Sequence, residues 1–189
     1  MNDSKKLDGL RVAILVSEGF EQIEMTDPRS ALEAAGARTT IVSPAAGEVV
    51  GFNHLDRGDA FPVAVTLDTA KVDDFDALLL PGGVSNPDLL RTLPKAVAFV
   101  KAFAGAGKPI AAICHAPWTL LEAGVVSGRT MTSWPSLQTD LRSAGATWVD
   151  RSVVVDGTLV TSRNPNDLPD FNRETIAVFA SRAAHAPAR

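Results

Sequence analysis

Three short apolar runs limit what this chain can fold into. Arg11–Val16 (RVAILV), Asp76–Leu80 (DALLL) and Pro109–Ile113 (PIAAI) show no polar alternation, so each reads as a strand buried on both faces. Helical patterns lie between them. Asp27 followed by Pro28 reads as a cap and first helical residue, with the helix passing Leu32 and ending near Gly36. Pro94–Ala106 is helical, with Val97, Val100 and Phe103 on one face. Strands alternating with helices predict an α/β fold with a mostly parallel, doubly wound sheet.

The rest of the chain fills in that scheme. Arg38–Ser43 is β-branched and strand-like, and Glu48–Leu67 reads as a small antiparallel excursion broken by Gly51, Gly58 and Pro62. Pro117–Ala123, Trp134–Ala144 and Asp167–Ala184 read as helices. Ser152–Val155 and Leu159–Ser162 flank Asp156-Gly157, a hairpin signal.

Composition excludes several classes. The net charge is −4 and no basic run stands out, so no general attraction to nucleic acid or anionic membrane is expected. No apolar run approaches the ~18 residues of a membrane span, and Met1–Leu10 is too polar for a signal peptide. A single cysteine forbids an internal disulfide and suits a reducing compartment, so the expected location is the cytoplasm. Tyrosine is absent, which leaves His, Asp, Glu, Lys and Cys as the general acids and bases.

That cysteine, Cys114, follows the Pro109–Ile113 strand at once and precedes the helix at Pro117. A strand–turn–helix junction of this kind is a nucleophile elbow. It places the sulfur at the carboxyl end of the sheet, where open α/β folds bind ligands. The following helix dipole would favour thiolate over thiol. A buried core cysteine is the plain alternative. His115 is adjacent, although neighbouring residues usually point apart. Gly82 and Gly83 end the Asp76–Leu80 strand and could bring backbone N–H groups to an anionic or oxyanionic group. Glu18, Glu21 and Glu24 follow the first strand. A carboxyl group buried beside a thiol is driven toward its protonated form and could hydrogen-bond the sulfur.

Together, FDALLLPGG (75–83), GKPIAAICHAP (107–117), DRSVVVDGTLVTSR (150–163) and DLPDF (167–171) resemble the PfpI (intracellular protease I) family, within the superfamily of the parkinsonism-associated deglycase. The resemblance implies a flavodoxin-like three-layer sandwich, with residues 1–189 as one domain and 1–8 and 183–189 as loose tails. It implies Cys114 as nucleophile, Glu21 as the glutamate that hydrogen-bonds it and His115 as the family histidine. Gly83 and the backbone of His115 would supply oxyanion contacts. It also implies a homodimer or higher oligomer in which Asp88, the acid after the glycine pair, could reach a neighbour's His115. Two positions depart from the family pattern: Ala116 stands where glycine is usual, and Trp118, beside the expected pocket, where glutamine is usual.

Three functions are consistent with this reading. Cys114 could act on small carbonyl compounds or glycated groups, as a glyoxalase that does not need glutathione or as a deglycase. It could act as a peptidase nucleophile on peptides, or as an oxidisable sensor in a stress-response or chaperone-like protein. None needs a cofactor or metal, and no HExxH or paired-cysteine pattern is present. A glutamine amidotransferase is excluded because no late His-x-Glu segment exists. A P-loop is excluded because Gly107-Lys108 is followed by proline.

Overall fold

The computed structural model describes residues 6–183. In chain order the strands and helices are β1 (Arg11–Leu15), β2 (Phe20–Glu21), α1 (Ile23–Ala34), β3 (Arg38–Ser43), β4 (Glu48–Asn53), β5 (Asp56–Pro62), β6 (Val65–Thr66), β7 (Ala77–Leu80), α2 (Ser85–Thr92), α3 (Pro94–Gly105), β8 (Ile110–Ile113), α4 (Pro117–Glu122), β9 (Thr130–Met131), α5 (Gln138–Ser143), β10 (Thr147–Trp148), β11 (Val153–Asp156), β12 (Leu159–Ser162) and α6 (Leu168–Ala183).

Seven strands form the main sheet in the order β11-β12-β8-β7-β1-β3-β6. All pairings are parallel except β11 with β12, which close the edge as a hairpin. Successive strand residues face opposite sides, so the uninterrupted apolar runs build two cores. Leu15, Leu78, Leu80 and Ala112 pack with Phe99, Val100, Phe103 and Leu120 on one side. Val12, Ile14, Leu79 and Ile113 pack with Met25, Leu32, Phe171 and Phe179 on the other. Burying each such Leu or Phe contributes about 1.5–3 kcal/mol. Helices α2, α3 and α4 cover the first face, and α1 and α6 the second. The result is a three-layer sandwich of the flavodoxin type. Among the described residues no helix is long and apolar enough to cross a membrane.

The order in which strands are added reverses at β1, with β3 on one side and β7, β8 and β12 following on the other. A crevice forms outside the carboxyl ends of strands at such a switch point. Here the segments that open onto it follow β1, β7 and β8: Ser17–Glu24, Pro81–Ser85 and Cys114–His115.

Several element boundaries differ from the sequence expectation. Helix α1 begins at Ile23, not Asp27, and carries Pro28 within it. The buried anchors Met25 and Leu32, seven residues apart, hold both ends of the helix on the sheet. Trp134 precedes a 3-10 turn (Pro135–Leu137), and α5 starts only at Gln138. The antiparallel excursion is the β4–β5 hairpin, which β2 joins in parallel. Leu7, expected in a loose tail, is 1% exposed and its N–H bonds Ala35 O at 2.9 Å. Residues 1–5 and 184–189 of the expected tails lie outside the described residues.

Candidate active site

Cys114 has φ +64°, the left-handed region that β-carbon crowding disfavours. It is held there from three sides: Cys114 N donates to Ser162 O (3.1 Å), Ala116 N to Ile113 O (3.0 Å), and Trp134 N to Cys114 O (2.9 Å). Strain of this kind costs about 1–3 kcal/mol and persists only where the surroundings over-determine it. The elbow expected from the sequence is present, and the sulfur opens onto the crevice.

Beneath it lies Glu24, not Glu21. Glu24 is fully buried in the first turn of α1 and its carboxyl lies beside Cys114, on the other side of Gly82. Oε2 accepts from Gly82 N–H at 3.1 Å, while Oε1 has no hydrogen-bond partner among the described residues. Burial therefore drives the carboxyl pKa up to about 8, and at neutral pH Glu24 is a carboxylic acid. Helix register explains the correction. A helix beginning at Asp27 would leave Glu24 in a loop. Beginning at Ile23, it aims Glu24 up at the end of β7 and β8. Glu21, at the end of β2, lines the cavity instead, its Oε2 accepting from His54 N–H at 3.1 Å. Glu18 is half-exposed and caps Val50 N–H at 3.1 Å.

His115 Nδ1 lies 3.2 Å from Cys114 Sγ, so the two adjacent side chains do meet. Its ring stacks on Trp134 (5.6 Å between centroids, 22°) and tilts against Trp118 (5.2 Å, 56°). Burial among these rings lowers its pKa to about 4, so it is a neutral base at pH 7. Nε2 faces Ser136 Oγ at 3.5 Å. That contact fits the tautomer with hydrogen on Nε2, leaving Nδ1 to accept the thiol proton. Asp88 is exposed on α2 and makes no contact with His115 within the chain.

The thiol is buried too, at 6% exposure. Burial pushes its pKa up, the Glu24 carboxylate adds to the push once ionised, and the N–H groups of Gly83 and His115 oppose it. The expected thiolate at rest is thus replaced by a thiol beside a neutral base and a carboxylic acid. The helix-dipole argument fails on length, because α4 has only six residues, while desolvation acts on the whole charge.

The glycine pair has divided roles. A β-carbon on Gly82 would lie 2.5 Å from Glu24 Oε2 and 2.6 Å from Cys114 Cβ, so only glycine lets the two groups approach. Its N–H is taken by Glu24, which leaves Gly83 and His115 as the donors toward the sulfur. Asn86, fully buried, ties this loop to β1: Oδ1 accepts from Ser17 N–H (2.7 Å) and Nδ2 donates to Pro81 O (2.9 Å). Sequence reasoning passed over Asn86; its only signal was the Asn-Pro pair at a helix start. Trp118 does not line the cavity. Its Nε1 donates to Asp140 (3.0 Å), Arg91 lies over its ring, and Trp134 forms the wall instead.

The cavity holds about 300 Å³ and is walled by Glu21, Phe52, Leu55, Val84 and Trp134 above Glu24, Cys114 and His115. Among the described residues no group of three His, Cys, Asp or Glu is placed to hold a metal.

A parallel α/β sandwich with a positive-φ cysteine at its switch point, flanked by a buried glutamic acid and a histidine, defines a class of cysteine-elbow proteins. The chain belongs to the DJ-1/PfpI family, whose model matches residues 10–178. It is 41% identical over 166 residues to a Bacillus subtilis (strain 168) protein named "Putative cysteine protease YraA", covering 88% of this chain and 96% of that one. Among solved structures, a two-domain Anabaena variabilis protein with dj-1/thij/pfpi-like and ferritin-like domains superposes with TM-score 0.84 at 32% identity, over 89% of this chain and 47% of that chain. Drosophila melanogaster DJ-1beta superposes with TM-score 0.80 at 25% identity, over 94% of this chain and 97% of that chain.

Proposed function

We propose that the protein is a cysteine-dependent enzyme acting on reactive carbonyl compounds or early glycation adducts. The observation that carries this reading is the buried trio of Cys114 thiol, neutral His115 at 3.2 Å and protonated Glu24 in one small cavity. A carbonyl substrate uses all three. His115 Nδ1 takes the thiol proton as Sγ adds to the aldehyde carbon, and the carbonyl oxygen gains a proton to give a hemithioacetal. With an α-dicarbonyl, a proton then moves from the former aldehyde carbon to the neighbouring carbonyl carbon through an enediol, giving a thioester. Water hydrolyses that thioester to a hydroxy acid and restores the thiol. Water is the only co-reactant, and Glu24 can give and regain the proton at each oxygen. A single thiol of this kind suits the reducing cytoplasm.

The name of the Bacillus relative favours a second reading, a peptidase. Amide cleavage asks for a histidine oriented by an acid, and among the described residues Nε2 has only Ser136 Oγ at 3.5 Å. A thiol also adds to an aldehyde far more readily than it cleaves an amide. The two readings separate when the protein and a Cys114→Ser control are incubated with methylglyoxal, a glycated peptide and a fluorogenic peptide. Thiol-dependent loss of methylglyoxal or of the glycated group supports the first. Thiol-dependent cleavage of the fluorogenic peptide alone supports the second.

A further inference from the structure

Charge sorts the cavity lining sharply. At neutral pH Glu24 is a carboxylic acid and His115 a neutral imidazole. Cys114 is held as a thiol by burial. Phe52, Leu55, Val84 and Trp134 are apolar, and neither lysine nor arginine is among the described lining residues. Glu21 is the remaining acidic group. Its carboxylate stands in the wall at the end of β2, fixed by the N–H of His54 at 3.1 Å. Two features bear on its charge. The His54 ring, 87% exposed, lies 3.8 Å away at Nδ1. The first turn of α2 also opens on the cavity, but a helix N-terminus carries about half a charge at most. Asp88 already sits in that turn. Arg57, the nearest hairpin cation, lies 3.7 Å from Glu18.

We propose that Glu21 is a specificity-determining residue that selects substrates by charge, admitting neutral and aminium-bearing carbonyl compounds and rejecting those that carry a carboxylate. The assignment rests on the carbonyl reading above for the word substrate, but the field it describes acts on any small electrophile approaching Cys114. An anion entering this apolar cavity loses water and meets a carboxylate with no cation to offset it. An early adduct of an amine keeps a protonated nitrogen near the reacting carbon, and that nitrogen finds its counter-charge in Glu21.

Two experiments separate the field from the chemistry. The first needs no turnover: alkylation of Cys114 by iodoacetamide, iodoacetate and 2-bromoethylammonium at pH 7.5, above the ordinary imidazole pKa of ~6.5. Each rate is normalised to that of 2-mercaptoethanol. In the native protein the normalised order is cation, then neutral, then anion, with iodoacetate roughly ten-fold or more behind iodoacetamide. Glu21→Gln keeps an oxygen for the His54 N–H and collapses that ratio toward one. A native ratio near one, or one that persists in Glu21→Gln, overturns the proposal. The second compares Cys114-dependent consumption of methylglyoxal and 4,5-dioxopentanoate, an α-ketoaldehyde that carries a carboxylate, where Glu21→Gln shifts the preference toward the anionic compound by about the same factor. If neither compound is consumed while the alkylation ratio behaves as stated, the carbonyl reading fails and charge selection by Glu21 stands.

Discussion

Glu24 and Cys114 face each other across the one position, Gly82, where a β-carbon would touch both. The contact ties the first turn of α1 to the elbow after β8. It makes the protonation of the carboxyl and the reactivity of the thiol one property.

Gly82→Ala should break the site. The added carbon would stand 2.5 Å from Glu24 Oε2, 2.6 Å from Cys114 Cβ and 2.7 Å from Ile113 O. Forcing these apart costs about 1–3 kcal/mol and should abolish Cys114-dependent activity. Gly105→Ala, at the end of α3 with nothing within 4 Å, is the control and should be neutral or stabilising by up to about 1 kcal/mol. Urea denaturation and thiol-dependent turnover of both variants check this.

Stability should fall between pH 6.5 and 8. Glu24 is raised from 4.5 to about 8 on folding, so the folded state binds more protons across that range and stability declines as pH rises. His115 is lowered from 6.5 to about 4, so the unfolded state binds more protons there and stability rises with pH. Between 4.5 and 6.5 the two slopes oppose each other. Above 6.5 the His115 slope fades and the Glu24 slope dominates, at up to about 1.4 kcal/mol per pH unit for one proton, or roughly 2 kcal/mol in all, with the raised thiol of Cys114 adding in the same direction near pH 8. Chemical denaturation at pH 6.5, 7.2 and 8 should show this decline, and Glu24→Gln should flatten it.

The same two groups predict a bell-shaped activity profile. Below about 4, His115 is protonated and cannot accept the thiol proton. Above about 8, Glu24 has lost the proton it supplies to the substrate oxygen. Activity against methylglyoxal should be broad between these limits and belong to the site as a coupled unit. His115→Ala should remove the acid limb and lower the plateau by about 10²–10⁴-fold. An unchanged acid limb in that variant would remove His115 from the reaction.

How much of this was legible beforehand depended on what fixes each feature. The sheet was legible because burial on both faces forces continuous apolar runs such as RVAILV and DALLL. Cys114 was legible because a strand running directly into a helix start leaves its residue on a turn. The choice among Glu18, Glu21 and Glu24 was not, because it depends on where α1 begins. Asp27-Pro28 is a strong local start signal that burial of Met25 and Leu32 overrides. The thiol's protonation was missed for a related reason: a helix dipole can be read from sequence order, but the desolvation that outweighs it arises only when Glu24, Gly82 and Ile113 close around the sulfur.

We further propose that the protein is a homo-oligomer whose subunits complete one another's sites. Among the described residues His115 has no acidic partner, and Asp88 is exposed on α2 beside Val84 and Leu89, large apolar residues at 57% and 44% exposure. Sedimentation at micromolar concentration should show a dimer or larger species, and a strict monomer would end the idea. Mixing Asp88→Ala with Cys114→Ala chains, each inactive alone, should then restore part of the activity.

The most direct test of the account is Cys114-dependent turnover of methylglyoxal in Glu24→Gln and Glu21→Gln, measured side by side against a Cys114→Ser baseline. Glu24→Gln keeps the shape and a hydrogen-bond donor but has no proton to exchange, so turnover should drop by about 10²–10⁴-fold, toward the baseline. Glu21→Gln should lose far less. Turnover that survives in Glu24→Gln while collapsing in Glu21→Gln would contradict the account.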